Sequence, residues 1–390
     1  MKVFLIPLSI TLFVSVCVIG IALIPPSKED TLQPYSSEIQ KNDVVDAPTT
    51  AIKEPTVGSE KPEGDEPTQD VLVTESAHAV QATVPENRIT STQETVPEQQ
   101  VIVQEPFYDS PAIPFDTLNE ATLPAVVNIL CGSNSKTING ATGSGVVIDP
   151  RGVILTNAHV AQYILLQNYP GNPIACVIRT GMPAKATYVA EVIAFPYAWA
   201  QKHAQDVQLE FPTGTGEDDW ALLYITKTTS GVPKPALFPF IPLDQRQAVT
   251  TTGDSVLVTA YPAGFLGSAT LQRELWPVST TVTIQKVYTF TQSLIDIFSL
   301  GGNIVAQGGA SGGAVVNQWG KLVGIVVVSS MGDTTAERDL RAITISHINK
   351  SVKDETGVDL VTFLQQGSFE NKMRTFVENS EQKLFSLYSL

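Results

Sequence analysis

Residues 308–317 read GGASGGAVVN, which sets Ser311 among four glycines and directly ahead of an apolar run. Glycine backbone can approach a bound carbonyl closely and leaves a neighbouring hydroxyl exposed, as a catalytic nucleophile requires. A glycine-rich loop between two strands would look the same. The motif therefore predicts a nucleophile only if partner residues occur elsewhere in the chain.

Composition divides the 390 residues unevenly, and most of the net charge of −15 lies in one segment. Residues 25–112 contain 17 Asp and Glu against 5 Lys and Arg. The acidity thus belongs to this segment and does not indicate an acidic active site. A negative chain without a basic cluster also argues against nucleic acid as a partner.

Residues 1–24 are predicted to form a membrane anchor or a signal peptide. Val3 to Ile24 form a 22-residue apolar stretch after Lys2. A bilayer needs about 20 such residues, whereas the apolar core of a cleaved signal peptide has about 7 to 15. We favour an uncleaved anchor with the rest of the chain extracytoplasmic, because Lys2 favours a cytoplasmic N-terminus. Gly20 and Ala22 keep a cleaved signal peptide, and hence a secreted protein, open as the alternative.

The segment 25–112 is rich in Pro, Glu, Thr, Gln and Ser and shows no sustained hydrophobic period. Such a segment buries too little apolar surface to offset its chain entropy. We predict a disordered stalk, followed by a folded domain over 113–350 and a C-terminal helical extension over 351–390.

Short apolar runs with turn signals follow one another through the folded part and predict strands. Residues 143–149 and 153–160 are two such runs on either side of the turn Pro150-Arg151-Gly152. They predict a hairpin that ends in a polar loop and presents His159. Of the four histidines, only this one ends such a hairpin.

A carboxylate pair, Asp218 and Asp219, stands directly before the apolar run 220–225. A carboxylate at the start of a strand can orient an imidazole and remain ionised if it is hydrogen bonded. An acidic turn ahead of a strand is the common alternative. We choose Asp219 because it is closer to the strand.

The chain order His159, Asp219, Ser311 is that of chymotrypsin-type proteases and differs from the order in subtilisins and α/β-hydrolases. The blocks TNAHV (156–160), DWALL (219–223) and GASGG (309–313) each resemble those of the trypsin-like serine protease family. The first block is most similar to HtrA/Deg-type bacterial enzymes. The resemblance covers residues 120–350 and implies an all-β fold of two six-stranded antiparallel barrels with the site between them.

The resemblance implies a role for each matched residue. Ser311 would be the nucleophile, His159 the general base and Asp219 the group that orients the imidazole. The N–H groups of Gly309 and Ser311 would form the oxyanion hole. The family needs no cofactor, and the sequence contains no cluster with metal-ligand spacing, so we expect neither cofactor nor metal.

The resemblance also assigns the substrate pocket, with Val305 at its base and Val327, Val328 and Ser329 along one wall. These residues include no carboxylate that could pair with Lys or Arg. A buried unpaired cation would cost several kcal/mol, whereas an aliphatic side chain gains about 1 to 3 kcal/mol by burial. We therefore expect cleavage after small or medium aliphatic residues.

Two features depart from the family pattern. Ala310 precedes the nucleophile where digestive enzymes carry an aspartate that pairs with a newly cut N-terminus, so that activation switch is absent. Residues 351–390 are too few for the PDZ domain of HtrA/Deg enzymes. The apolar residues of 369–388 fall on one helical face, which predicts a helix that packs on a barrel or on a partner subunit.

Cys131 and Cys176 lie in the folded part, and the chain contains one further cysteine, Cys17. An even pair outside the cytoplasm favours a disulfide, worth roughly 4 kcal/mol on the chain-entropy model. Two separate buried thiols are the alternative.

Two classes of function remain. The first is a membrane-tethered serine endopeptidase that acts on polypeptide substrates. The second is a catalytically silent trypsin-like domain that serves as a surface binding module. Either form is compatible with a homo-oligomer.

Overall fold

The computed structural model describes residues 108–134, 138–171, 174–209, 215–290, 294–329 and 334–388. The predicted anchor and residues 25–107 of the predicted stalk lie outside these ranges. No helix among the described residues has both the length and the hydropathy to cross a bilayer.

The N-terminal half of the described chain is a closed six-stranded antiparallel barrel with the order β1-β2-β3-β6-β5-β4. Its strands are β1 (Val126–Ser133), β2 (Ala141–Asp149), β3 (Val153–Thr156), β4 (Ile174–Thr180), β5 (Lys185–Ala194) and β6 (Ala221–Thr228). Val127, Ile129 and Cys131 alternate along β1 and pack in one core cluster, whereas Val126 packs in another. This period of two is the pattern of a strand with two different faces.

The C-terminal half is a seven-stranded antiparallel sheet with the order β8-β7-β11-β12-β13-β10-β9. Its strands are β7 (Ser255–Ala260), β8 (Val278–Thr283), β9 (Lys286–Tyr288), β10 (Ile297–Gly301), β11 (Ala314–Asn317), β12 (Leu322–Ser329) and β13 (Leu340–Thr344). The prediction of a second closed six-stranded barrel is therefore met only in part.

The segment between β8 and β9, the two edge strands of this sheet, explains why the sheet does not close into a second barrel. β8 pairs with β7 as far as Thr283, and β9 pairs with β10 from Lys286 onward. Between them Ile284 N donates to Asp254 O and Gln285 N donates to Ser299 O. One segment thus crosses from one edge of the curled sheet to the other and is split into two short strands, so the sheet is not closed by a ladder between its ends.

Helices occupy the connections and the C-terminus. They are α1 (Phe115–Thr122), α2 (Ala158–Leu165), α3 (Tyr197–His203), α4 (Ser268–Arg273), α5 (Ile345–Thr356), α6 (Leu360–Gln365), α7 (Phe369–Phe376) and α8 (Gln382–Phe385), with a π-helical turn over Val377–Glu381 between the last two. The Thr344 side chain caps the start of α5, and Gly357 ends that helix with φ 81°. Both are ordinary helix boundary signals.

The C-terminal helices pack against the closed barrel. Phe376, Leu384, Phe385 and Tyr388 belong to the same core cluster as the inward residues of β1. The predicted helix over 369–388 is thus present as α7, the π-helical turn and α8, and its apolar face covers a barrel.

The end of the predicted stalk packs against the second sheet. Tyr108 stacks on Trp319 with ring centroids 4.4 Å apart, and its hydroxyl donates to Asp244 Oδ2 at 2.7 Å. Trp319 Nε1 donates to Ser110 O at 2.9 Å. Residues 108–112 are therefore part of the folded unit, although their composition placed them in the stalk.

Candidate active site

Asp219 lies in a tight turn immediately before β6. Its N–H donates to Gly216 O at 3.2 Å, and Asp218 adopts a left-handed conformation with φ 57°. Asp tolerates this region better than most residues because of its short polar side chain. The turn buries the Asp219 side chain, which is only 8% exposed.

His159 lies in the first turn of α2, not in the polar loop that the hairpin pattern predicted. β3 ends at Thr156, and Asn157 precedes the helix. Asn157 Nδ2 donates to Asp219 O at 2.8 Å, which ties the start of the helix to the aspartate. The helix pattern was missed because α2 has only eight residues, too few to show a helical period among apolar neighbours.

Asp219 holds His159 through both carboxylate oxygens. The backbone N–H of His159 donates to Oδ1 at 2.9 Å, and Nδ1 of the ring is 2.6 Å from Oδ2. With Nδ1 protonated, this pairing leaves Nε2 free to accept a proton. The sequence-based choice of Asp219 over Asp218 matches the residue that contacts the imidazole.

Opposing effects set the pKa of His159. Burial disfavours the imidazolium, but the charge of Asp219 and its hydrogen bond outweigh burial, and the net result is a raised pKa. The ring is 27% exposed, so water reaches it from one side. Asp219 therefore stabilises the charged imidazole that would form during general base catalysis.

Ser311 lies in a tight loop held by backbone hydrogen bonds. Gly313 N donates to Ala310 O at 2.9 Å, and Gly312 N donates to Val326 O in β12 at 2.7 Å. Gly312 has φ 85°, and a Cβ at this position would lie 2.0 Å from Ser144 O. Only glycine fits both the conformation and the space.

Ser144 in β2 joins the serine loop to the histidine side of the site. Ser144 N donates to Ser311 O at 2.7 Å, and Ser144 Oγ donates to Gly309 O at 2.8 Å. Thr156, at the end of β3, donates its hydroxyl to Ser144 O at 2.7 Å. The two predicted blocks around Ser311 and His159 are thus brought to the same place through one buried serine.

Sequence reasoning did not single out Ser144. The available signal was the pair of glycines in the run Gly143-Ser144-Gly145, because glycine inside a strand often marks close approach of another backbone. In the structure that approach occurs at Ser144, whose N–H donates to Ser311 O.

Two further features of the site bear on chemistry. Among the described residues, no hydrogen bond joins Ser311 Oγ to the His159 ring. Within the described ranges, neither the Gly309 N–H nor the Ser311 N–H donates to a protein acceptor. These two unpaired donors, one on Ser311 itself and one two residues before it, are available to a ligand oxygen.

The predicted pocket residues are not all brought together. Val305 is fully buried and packs with Ala306 and Ala310 in the core of the second sheet. Val327 belongs to a different core cluster. Its side chain packs against Gly216, where an added Cβ would lie only 3.1 Å away. The backbone of Val328 and Ser329 continues β12 opposite Arg341 and Leu340, and their side chains are not described.

Cys131 and Cys176 are joined by a disulfide. They are directly opposite each other in the register of β1 and β4. Within the described ranges, no three His, Cys, Asp or Glu side chains are grouped so as to hold a metal ion.

Comparison with known families identifies the domain in which these residues lie. Residues 143–325 match the family model described as trypsin-like peptidase domain. The chain contains a trypsin-like peptidase domain. The match confirms the resemblance inferred from the three sequence blocks and the predicted enzyme class, a serine endopeptidase.

No curated protein matches the chain. Two solved structures are similar to part of this chain. A serine endoprotease from Yersinia pestis is 21% identical with a TM-score of 0.39, over 63% of this chain and 67% of the other. The inactive form of a serine-to-alanine mutant of Rv3671c from M. tuberculosis is 18% identical with a TM-score of 0.38, over 66% of this chain and 98% of the other. At values this low, neither structure carries an argument, and the identification of the domain rests on the match over residues 143–325.

Proposed function

We propose that this protein is a membrane-tethered, extracytoplasmic serine endopeptidase that uses Ser311, His159 and Asp219 as its catalytic triad. The observation that carries the proposal is the double contact of Asp219 with His159, at 2.9 Å to the backbone N–H and 2.6 Å to Nδ1. This arrangement fixes the imidazole tautomer that a general base needs.

In the proposed reaction, His159 Nε2 takes the proton of Ser311 Oγ as that oxygen attacks the scissile carbonyl. The imidazolium, stabilised by Asp219, then gives its proton to the leaving amine as the peptide C–N bond breaks, which leaves the acyl group on Ser311 Oγ. Water, deprotonated by His159, hydrolyses this ester and frees Ser311. The unpaired N–H groups of Gly309 and Ser311 would hold the carbonyl oxygen as it becomes negative. Each such donor is worth about 3 to 4 kcal/mol of transition-state stabilisation.

We further propose that the enzyme cleaves after small or medium aliphatic residues. The residues assigned to the pocket include no carboxylate, and burial of a substrate cation without a partner would be costly. Profiling cleavage in a peptide library tests this preference, and a dominant preference for Lys or Arg before the cut would contradict it.

The tether rests on sequence alone. The 22-residue apolar stretch after Lys2 supports an anchor with the protease domain outside the cytoplasm. The disulfide between Cys131 and Cys176 agrees with an oxidising compartment.

One observation favours a second function, that of a catalytically silent binding module. Ser311 Oγ and the His159 ring are not hydrogen bonded in the described chain. Catalytic hydrogen bonds often tighten only when substrate binds, so this geometry does not outweigh the intact Asp219–His159 pair.

Labelling with a fluorophosphonate probe separates the two functions. We expect the wild-type chain to be labelled at Ser311 and the Ser311→Ala variant to remain unlabelled. Peptide mapping by mass spectrometry locates the adduct, and thermal unfolding shows that both proteins are folded. A folded wild type that is not labelled would support the binding module instead.

A further inference from the structure

The residues on either side of Asp219 both depend on one hydroxyl group of α5. Ser351 Oγ donates to Asp218 Oδ1 at 2.6 Å and accepts a hydrogen bond from Trp220 Nε1 at 2.8 Å. Ser351 is 7% exposed and Trp220 is fully buried. A single hydroxyl therefore connects the side chains that precede and follow the aspartate.

We propose that Ser351 is a positioning residue for the catalytic aspartate, and this inference rests on the function proposed above. Asp219 must present Oδ1 to the backbone N–H of His159 and, at the same time, Oδ2 to the ring of His159. The direction of its side chain is set by the backbone of 218–220, which Ser351 fixes from both sides. Small displacements of catalytic groups can cost up to about a hundredfold in rate.

The backbone of this turn needs such support. Asp218 is in the left-handed region with φ 57°, and Trp220 N donates back to Asp218 O at 2.9 Å. A non-glycine residue in that region persists only when its surroundings hold it. The hydrogen bond from Ser351 supplies a specific interaction that favours this conformation of Asp218.

Helix α5 is itself firmly placed, so Ser351 is a fixed reference point. Thr344 Oγ1 accepts from His347 N at the start of the helix, and His347 Nδ1 is 2.7 Å from Asp296 Oδ1. Ser351 follows His347 by one helical turn and lies on the same face. If the hydroxyl were removed, the buried Trp220 N–H would lose its acceptor and Asp218 would lose its donor, which favours rearrangement of the turn.

The test compares Ser351→Ala with Ser346→Ala in the full chain. Ser346 is also buried on α5, but its hydroxyl contacts Thr344 and not the Asp219 turn. Saturation kinetics of fluorophosphonate labelling give the maximal rate and the probe affinity separately. We expect Ser351→Ala to lower the maximal rate by about tenfold to a hundredfold with little change in probe affinity. Ser346→Ala should leave the maximal rate within about threefold of wild type.

The pH dependence of labelling distinguishes positioning from general destabilisation. Asp219 raises the pKa of His159, so a displaced Asp219 should move the midpoint of the rate profile to lower pH. A merely structural role would leave this midpoint unchanged. If Ser351→Ala does not fold, Trp220→Phe removes the indole donor together with part of the buried ring and should shift the midpoint in the same direction.

Three outcomes are distinguishable. A slower Ser351→Ala with a shifted midpoint supports the inference. Equal rates and midpoints for Ser351→Ala and Ser346→Ala overturn it while leaving the proposed triad intact. A folded wild type that reacts with no probe overturns the proposed function itself.

Discussion

Two histidines of this molecule pair with an aspartate in nearly the same way but differ in what surrounds the ring. His159 Nδ1 is 2.6 Å from Asp219, and His347 Nδ1 is 2.7 Å from Asp296. The His159 ring is 27% exposed, whereas the His347 ring is 10% exposed with an Nε2 that has no hydrogen-bond partner. A His–Asp pair by itself is therefore a structural unit. The exposed side of the His159 ring, together with the Ser311 loop that Ser144 ties to the same region, makes this pair a candidate catalytic one.

The largest expected effect separates the two aspartates. Asp219→Asn places an amide opposite His159 Nδ1, which favours the tautomer with its proton on Nε2 and removes the base. We expect labelling of Ser311 to slow by about 10⁴-fold. In Asp296→Asn, labelling should stay within about threefold of wild type, while the free energy of unfolding falls by about 1 to 3 kcal/mol because a buried partner is lost.

Fluorophosphonate kinetics and chemical denaturation of both variants measure these effects. Equal losses of labelling rate in the two folded variants would show that the His347–Asp296 pair also takes part in catalysis and is not a purely structural unit.

The next effect concerns pH. Because the pKa of His159 is raised, we expect the labelling rate to increase with pH to a plateau, with a midpoint above the ordinary value of about 6.5. Below the midpoint the rate should fall about tenfold per pH unit, since only the neutral imidazole acts as a base. A midpoint below 6 would mean that burial outweighs Asp219.

The same raised pKa has a consequence for stability with the opposite sign. A histidine whose pKa is higher in the folded state stabilises the fold when protonated, so its contribution is complete below the unfolded pKa and is lost as pH rises through the folded pKa. The pH at which labelling is fastest is thus one at which His159 no longer stabilises the fold.

The structure shows one contact that the sequence led us to expect at the site, that of Asp219 with His159, whereas the catalytic roles of His159, Asp219 and Ser311 stay predictions. Each of the three candidate residues, His159, Asp219 and Ser311, lies in a short block of characteristic residue types. Such a block can be recognised from the sequence alone, without knowledge of which residues contact it. The Ser144 and Ser351 contacts were not visible, because each connects residues more than a hundred positions apart and serine is common in strands and helices. The break at Ile284–Gln285 in the second sheet depends on pairing with Asp254 and Ser299, which no local pattern encodes.

The smallest expected effect on rate comes from His347→Gln. Glutamine can keep one polar contact with Asp296, but it cannot reproduce the geometry of the ring, which packs edge-on against Phe290 at 5.1 Å. We expect the free energy of unfolding to fall by about 1 to 3 kcal/mol because the buried Asp296 carboxylate loses a donor. His347 Nε2 lies 4.0 Å from Asp218 Oδ1, too far for a hydrogen bond. Labelling of Ser311 should remain within about threefold of wild type, because Thr344 still caps α5 and Ser351 keeps both of its hydrogen bonds. His203→Gln is the control, since His203 also pairs with an aspartate, Asp206, but both side chains are partly exposed, at 22% and 25%, so we expect a smaller loss of stability than in His347→Gln. Thermal unfolding and labelling of the two variants side by side measure both effects.

A folded His347→Gln protein that no longer reacts with the probe would contradict the structural role of His347. A loss of unfolding free energy in His203→Gln as large as that in His347→Gln would show that burial does not determine how much each His–Asp pair contributes to stability.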